Sequence, residues 1–148
     1  MGAYRKILVA VDGSAAAAKG LREAIRLAKE ERAQLVILHA VDEFYALATP
    51  EGVTPLTDLP PVLREGGQRI LAKAKNLAGR EKVKVTTVLR EKVGGPAAEL
   101  IVREARKQRA DLIVLGTHGR RGLRRLVLGS DAEQVIRTAS VPVLLVRG

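Results

Sequence analysis

Short apolar runs and amphipathic stretches take turns along this chain, and that alternation restricts its fold more than any other feature. Lys6-Ile7-Leu8-Val9-Ala10-Val11-Asp12 is an apolar run closed by Asp-Gly, the pattern of a strand buried on both faces. Residues 15–31 place Ala18, Leu21, Ile25 and Ala28 on one helical stripe, with Arg and Glu outside it. Gln34–Val41 repeats the buried strand, and residues 62–79 return to helical spacing through Ile70, Leu71, Ala74 and Leu77. Val83–Leu89 alternates Val83 and Val85 with Lys84 and Thr86, a half-exposed strand. A Gly94-Gly95-Pro96 turn precedes a helix over 97–108 with Ala98, Ile101, Val102 and Ala105 inward, Pro96 standing at a favoured first position. Asp111–Gly116 reads as a fourth buried strand, residues 130–139 as a last helix and Val141–Val146 as a last strand. Strands alternating with helices predict an α/β fold, a doubly wound parallel sheet with helices on both faces. Ligands of such sheets bind beyond the carboxyl ends of the strands, where the strand order reverses.

A length of 148 residues suits one domain, and no linker or internal repeat divides residues 1–148. Residues 42–61 differ from the rest: Pro50, Pro55, Pro60 and Pro61 stand among Thr and Gly, which reads as a long mobile loop. Cysteine is absent, which excludes disulfide scaffolds, thiolate metal sites and cysteine nucleophiles. No apolar run approaches the ~20 residues of a membrane span. The basic start is followed by an apolar stretch that breaks at Asp12, too short for a signal peptide, so a cytoplasmic protein is expected.

The net charge of +10 favours anionic partners, and its distribution matters. Residues 103–125 hold eight bases against two acids, yet none of the chain's three aromatic residues lies there. Stacking platforms for single-stranded nucleic acid are therefore missing from that segment.

The sharpest chemical signal follows the fourth strand. Gly116-Thr117-His118-Gly119 leads through an Arg-rich stretch (Arg120, Arg121, Arg124, Arg125) to Gly129-Ser130, which opens the last helix. Glycines let a backbone approach a ligand closely, and successive amides can form an anion-binding hollow. The helix start adds free N–H groups and a partial positive charge. Each half also has a plain reading, since Ser130 and Glu133 have capping-box spacing and the glycines can simply turn the chain. Asp12 before Gly13 suits a turn as well as a ligand contact, Asp42 and Glu43 read as solvated loop, and His39 mid-strand reads as a hydrogen-bonded core histidine. His118 reads equally as a phosphate neighbour or a loop residue. Gly-x-Gly-x-x-Gly, the P-loop motif and the nucleophile elbow are absent, and no general base for an attacking water is identifiable. No metal ligands can be assigned.

The Gly-x2-Gly-x9-Gly-Ser pattern, with Lys6–Ser14, Leu38–Val41, Gly94-x-Pro96, Ala110–Gly119 and Val141–Val146, resembles the universal stress protein family in its ATP-binding subclass. The likeness covers nearly the whole chain outside the 43–61 loop. It implies a five-stranded parallel sheet of order 3-2-1-4-5 that dimerises through the strand 141–146. By this resemblance Ala10 and Val11 border the nucleoside, Asp12 binds the ribose or the adenine edge, and Ala40 lies against adenine. Leu115 and Gly116 flank ribose and phosphates, and Gly119, Gly129 and Ser130 hold the phosphates, with Asp131 and Ala132 in the same turn. The family often carries an apolar residue and a hydroxyl where this chain has Asp131 and Ala132. A carboxylate there repels phosphate unless Mg²⁺ or an arginine intervenes, so AMP or cyclic AMP stands beside ATP as the expected ligand.

The resemblance implies a regulatory protein of the stress response, whose bound nucleotide switches its conformation or its affinity for a protein partner of unknown identity. Two alternatives stay open: a slow ATPase or autophosphorylating enzyme, and a nucleic-acid-binding module using residues 103–125.

Overall fold

The computed structural model describes residues 2–42, 48–49, 52–53, 61–92, 96–117 and 130–148. Its strands are β1 (Lys6–Ala10), β2 (Gln34–Asp42), β3 (Ala48–Thr49), β4 (Gly52–Val53), β5 (Val85–Lys92), β6 (Leu112–Gly116) and β7 (Val143–Val146). Its helices are α1 (Ala15–Glu31), α2 (Pro61–Arg80), α3 (Ala97–Gln108) and α4 (Ser130–Thr138). The main sheet is parallel and five-stranded, in the order β5-β2-β1-β6-β7, which is 3-2-1-4-5 when its strands are counted along the chain. β3 and β4 form a separate antiparallel pair, Ala48 opposite Val53 and Thr49 opposite Gly52, within the stretch read from sequence as loop.

Two apolar layers hold the sheet. Ile7, Val9, Leu35, Ile37 and Val114 pack against Leu21, Ala24, Ile25 and Ala28 of α1 and Leu71, Ala74 and Ala78 of α2. Leu8, Val36, Leu38, Val88, Ile113 and Leu115 pack on the other side against Ala98, Ile101, Val102 and Ala105 of α3 and Ala132 and Val135 of α4. Alternate residues of one strand reach opposite layers because the side-chain period of a strand is two. In α1 the buried stripe also takes in Ala16, Ala17 and Gly20, with Ala18 half-buried at its margin. Ser14 caps α1 by accepting the Ala17 N–H at 3.1 Å, and Arg32, at φ 56°, closes it in the left-handed region. The Asp111 carboxylate accepts the N–H groups of Arg5 (2.9 Å) and Lys6 (3.1 Å), tying the entry of β1 to the entry of β6.

Several strand ends differ from the sequence pattern, each for a local reason. β5 starts at Val85 rather than Val83 because the Val83 N–H donates to the Ala78 carbonyl and finishes the turn after α2. It continues to Lys92 because β2 runs on to Asp42 and supplies partners for Glu91 and Lys92. Asp42 thus ends a strand instead of starting a loop. β7 starts at Val143, after Pro142, which has no N–H to donate. β1 stops at Ala10 because the chain turns at Val11–Ser14.

Candidate functional site

From β1 the sheet grows in one direction through β2 and β5 and in the other through β6 and β7. The order therefore reverses at the β1–β6 boundary, where open α/β sheets take their ligands. Ala10 ends β1 and Leu115-Gly116 end β6 at this point.

Four of the residues singled out in the sequence come to one layer. Ala10, Leu115 and Ala132 belong to the cluster between the sheet and α3–α4. Ala40 stands two residues beyond Leu38 on the same face of β2. With the fully buried Ala98 at the start of α3, these side chains line the carboxyl end of that layer with methyl groups. Small side chains thus gather beside the strand ends at this point. Leu115 is the one bulky member.

Val11 and Gly116 belong to the opposite layer. Val11 packs with α1 and α2, its N–H donates to the Leu38 carbonyl at 2.8 Å, and its carbonyl accepts from His39 Nδ1 at 2.8 Å. A carbonyl can only accept, so Nδ1 of this buried histidine carries the proton. His39 is thus a core group that fixes the exit of β1. A Cβ on Gly116 would lie 2.1 Å from the Ala16 carbonyl oxygen and 3.0 Å from the Ala17 N. The missing side chain lets α1 pass over β6, and only the main chain of Gly116 is left to border the switch point.

Asp12 follows β1 at the carboxyl edge. Its Oδ1 accepts the Ser14 N–H at 2.8 Å, which bends the chain into α1 around Gly13, at φ 83°. A carboxylate accepts several hydrogen bonds at once, so this turn and a ligand contact are compatible. On the far side, α4 starts at Ser130, followed by the exposed Asp131 and the buried Ala132. Gly119, Gly129, His118, Arg120, Arg121, Arg124 and Arg125 lie outside the described residues, as does the side chain of Ser130. Of the basic 103–125 segment, Arg103, Arg106, Lys107 and Arg109 are exposed on or just beyond α3. Among the described residues no three His, Asp or Glu side chains gather as a metal site.

One feature of this layer escaped the sequence reading. Glu104, buried in α3, accepts from Arg90 Nε at 3.0 Å, Arg90 Nη2 at 3.2 Å and Gln108 Nε2 at 2.9 Å. Arg90 pairs in register with Ala40. Burial pushes the Glu104 carboxyl up, but the bonds from Gln108 and Arg90 and the charges of Arg90 and Lys107 outweigh it and hold it below the usual carboxylate range. Sequence spacing carries no signal of this pair, since Arg90 and Glu104 lie on elements that meet only in space.

A model of the universal stress protein family matches residues 3–147. The chain belongs to that family. This universal stress protein is 42% identical over 145 residues to one from Methanocaldococcus jannaschii, a match that spans 97% of this chain and 82% of the relative. A universal stress family protein from Burkholderia pseudomallei has the same fold, with a TM-score of 0.74 at 34% identity over 99% of this chain and 98% of that one. A universal stress protein from Archaeoglobus fulgidus, solved in complex with dAMP, shares the fold with a TM-score of 0.71 at 23% identity, over 96% of this chain and 97% of that one. No helix among the described residues is long and apolar enough to cross a membrane.

Proposed function

We propose that this universal stress protein binds an adenine nucleotide at the carboxyl ends of β1 and β6 and works as a nucleotide-dependent regulatory switch. The observation that carries the reading is the gathering of Ala10, Ala40, Leu115 and Ala132 on one layer at the sheet's reversal point. Small methyl side chains suit contact with a planar base, and Asp12 at the strand end suits ribose hydroxyls. Gly119, Gly129 and Ser130 complete the proposal as the phosphate-holding residues, by amide groups and the start of α4. The dAMP complex of the Archaeoglobus protein is in keeping with an adenine ligand in this fold.

Asp131, exposed in the first turn of α4, adds a negative charge beside that phosphate position. Each further phosphate on the ligand meets more repulsion there unless a divalent ion screens it. The reading therefore favours a mononucleotide, AMP or cyclic AMP, over metal-free ATP, with Mg²⁺ narrowing the difference. Among the described residues β7 has β6 as its one strand neighbour, and its Val143–Val146 side chains are half-buried. Pairing with a second copy at this edge makes the proposed unit a homodimer, whose mass sedimentation reads.

Isothermal titration of the purified protein with ATP, AMP and cyclic AMP, each with and without Mg²⁺, tests the site. The expected result is binding that weakens with phosphate number, recovers for ATP with Mg²⁺, and is lost in Gly119→Val or Gly129→Val. Heat-silent titrations with all three ligands, or binding untouched by both variants, would overturn it.

A further inference from the structure

We propose that the open edge of β5, with the α2 helix beside it, is a docking groove for an extended acidic segment of a partner protein, which joins the sheet as a sixth strand. This surface lies at the opposite edge from β7 and does not depend on the nucleotide reading.

The edge is identified by hydrogen-bond direction. β5 pairs with β2 on one side and has no strand on the other among the described residues. The Leu35 N–H donates to the Lys84 carbonyl at 2.9 Å, so the main chain of Lys84 points toward β2. Alternation along a parallel strand then turns Thr86 and Val88 toward β2 and the N–H and C=O groups of Val85, Thr87 and Leu89 outward. Those same residues face the α2 side of the sheet, where Val85 and Leu89 pack at the margin of the core.

Beside this row lie two adjoining hollows, of about 330 and 540 Å³, both bordered by Lys75. Thr87 and Leu89 line the first, and Val85 lines the second. The helix wall is formed by Gln68, Ala72, Lys75, Asn76 and Gly79, one exposed stripe of α2 at helical spacing. Two members of that stripe are small, and a Cβ added at Gly79 would meet nothing within 4 Å. A strand laid along β5 would find main-chain partners on its inner side. Its alternate side chains would drop between β5 and α2. An outward ladder beside a helix-walled groove is the arrangement by which β-addition sites read extended peptides.

Charge selects the occupant. Lys75 and Arg80 line the hollows, and among the described residues no carboxylate does. Exposed Lys82 and Lys84 lead into the strand. Among the described residues the acids next to the groove are engaged, Glu81 with Lys29 at 2.7 Å and Glu91 with Arg64 at 3.0 Å. A second copy of this chain brings the same cations and is repelled, as edge lysines commonly arrange. An acidic strand meets complementary charge.

Fluorescence anisotropy of the full chain with a labelled peptide alternating Asp and Val tests the groove. The control is a peptide of equal charge with Pro in place of Val, which cannot donate to a ladder. The Val peptide is expected to bind about tenfold tighter than the Pro peptide and to weaken as salt rises. Lys75→Glu should weaken it by a further factor of about ten. Thr87→Pro removes an outward N–H without touching the β2 ladder, so it should abolish binding at unchanged melting temperature. Hydrogen exchange should show new protection at the Val85, Thr87 and Leu89 amides of the unaltered protein, a readout that stands even if Thr87→Pro misfolds. Equal binding of both peptides would reduce the effect to diffuse charge attraction and overturn the proposal. So would edge amides already protected in the free protein, or a Thr87→Pro variant with a changed sedimentation mass, which would assign the edge to the chain itself or to a second copy.

Discussion

Toward its amino end the sheet packs alike on both faces, with Ile7, Leu35 and Ile37 on the α1–α2 side and Leu8, Val36 and Ile113 on the α3–α4 side all fully buried. Toward its carboxyl end the faces diverge. On the α1–α2 side, backbone closes on backbone where Gly116 lies under Ala16 and Gly20 faces Gly116, and the backbone of Gly67 in α2 closes on the side chains of Leu89, His39 and Val41. On the α3–α4 side, Leu115 apart, the residues toward that end are Ala10, Ala40, Ala98 and Ala132. One side reduces side chains to hydrogen so that helices can touch the sheet. The other reduces them to methyl groups at the reversal point. Small residues thus serve close packing in one layer and, on our reading, room for a ligand in the other.

Adding one methyl group at Gly116 is the strongest way to break this contrast. The new Cβ meets the Ala16 carbonyl at 2.1 Å, and that atom is backbone, so relief requires α1 to move off the sheet. Gly116→Ala should lose about 3 kcal/mol of stability, the upper end of ordinary overpacking costs. Urea unfolding checks it. A loss below about 1 kcal/mol would mean that the α1–β6 contact yields easily and that the two layers differ less than the geometry indicates.

A larger side chain on the other layer should do the reverse. Ala40→Leu extends a half-buried methyl group at the carboxyl end of β2, two residues beyond Leu38, the register partner of Ala10, and on the face away from the glycine contacts. Stability should change by less than about 1 kcal/mol. Nucleotide affinity should fall by about a hundredfold, some 2.7 kcal/mol, because the leucine fills the place given to the base. Titration calorimetry and a melting curve on one preparation separate the two effects. Unaltered affinity would place the base elsewhere.

The contrast also marks how far the amino-acid sequence alone reaches. The alternation of apolar runs with helical stripes carries the element order, and the strand period of two carries the sharing of a face by Leu38 and Ala40. Gly116 stood out as a glycine at a strand end, but sequence spacing does not reveal that α1 crosses over β6, so its packing role was hidden behind a ligand role. Strand ends shifted where one hydrogen bond decided them, as at Val83, whose amide goes to Ala78. The Arg90–Glu104 pair was invisible because β5 and α3 meet only in space. Glu104 counted merely as one of two acids in a basic segment.

That pair sharpens the comparison most finely, since among the described residues the α3–α4 layer is the one that buries a carboxylate. Glu104 ionises in the folded chain below its ordinary value of 4.5. Its contribution is therefore complete above about pH 4.5 and is lost as pH falls through the lower folded value. Arg90 keeps 37% of its side chain exposed, so water screens the attraction and limits its worth. Glu104→Gln should cost about 1 kcal/mol near neutral pH, because the amide keeps one acceptor for Arg90 and loses the charge. The cost should shrink toward zero in acid, where the unaltered side chain is itself protonated. Denaturant midpoints measured across that range should converge for the two proteins. Curves that stay parallel would show that hydrogen-bond geometry, rather than charge, ties α3 to β5.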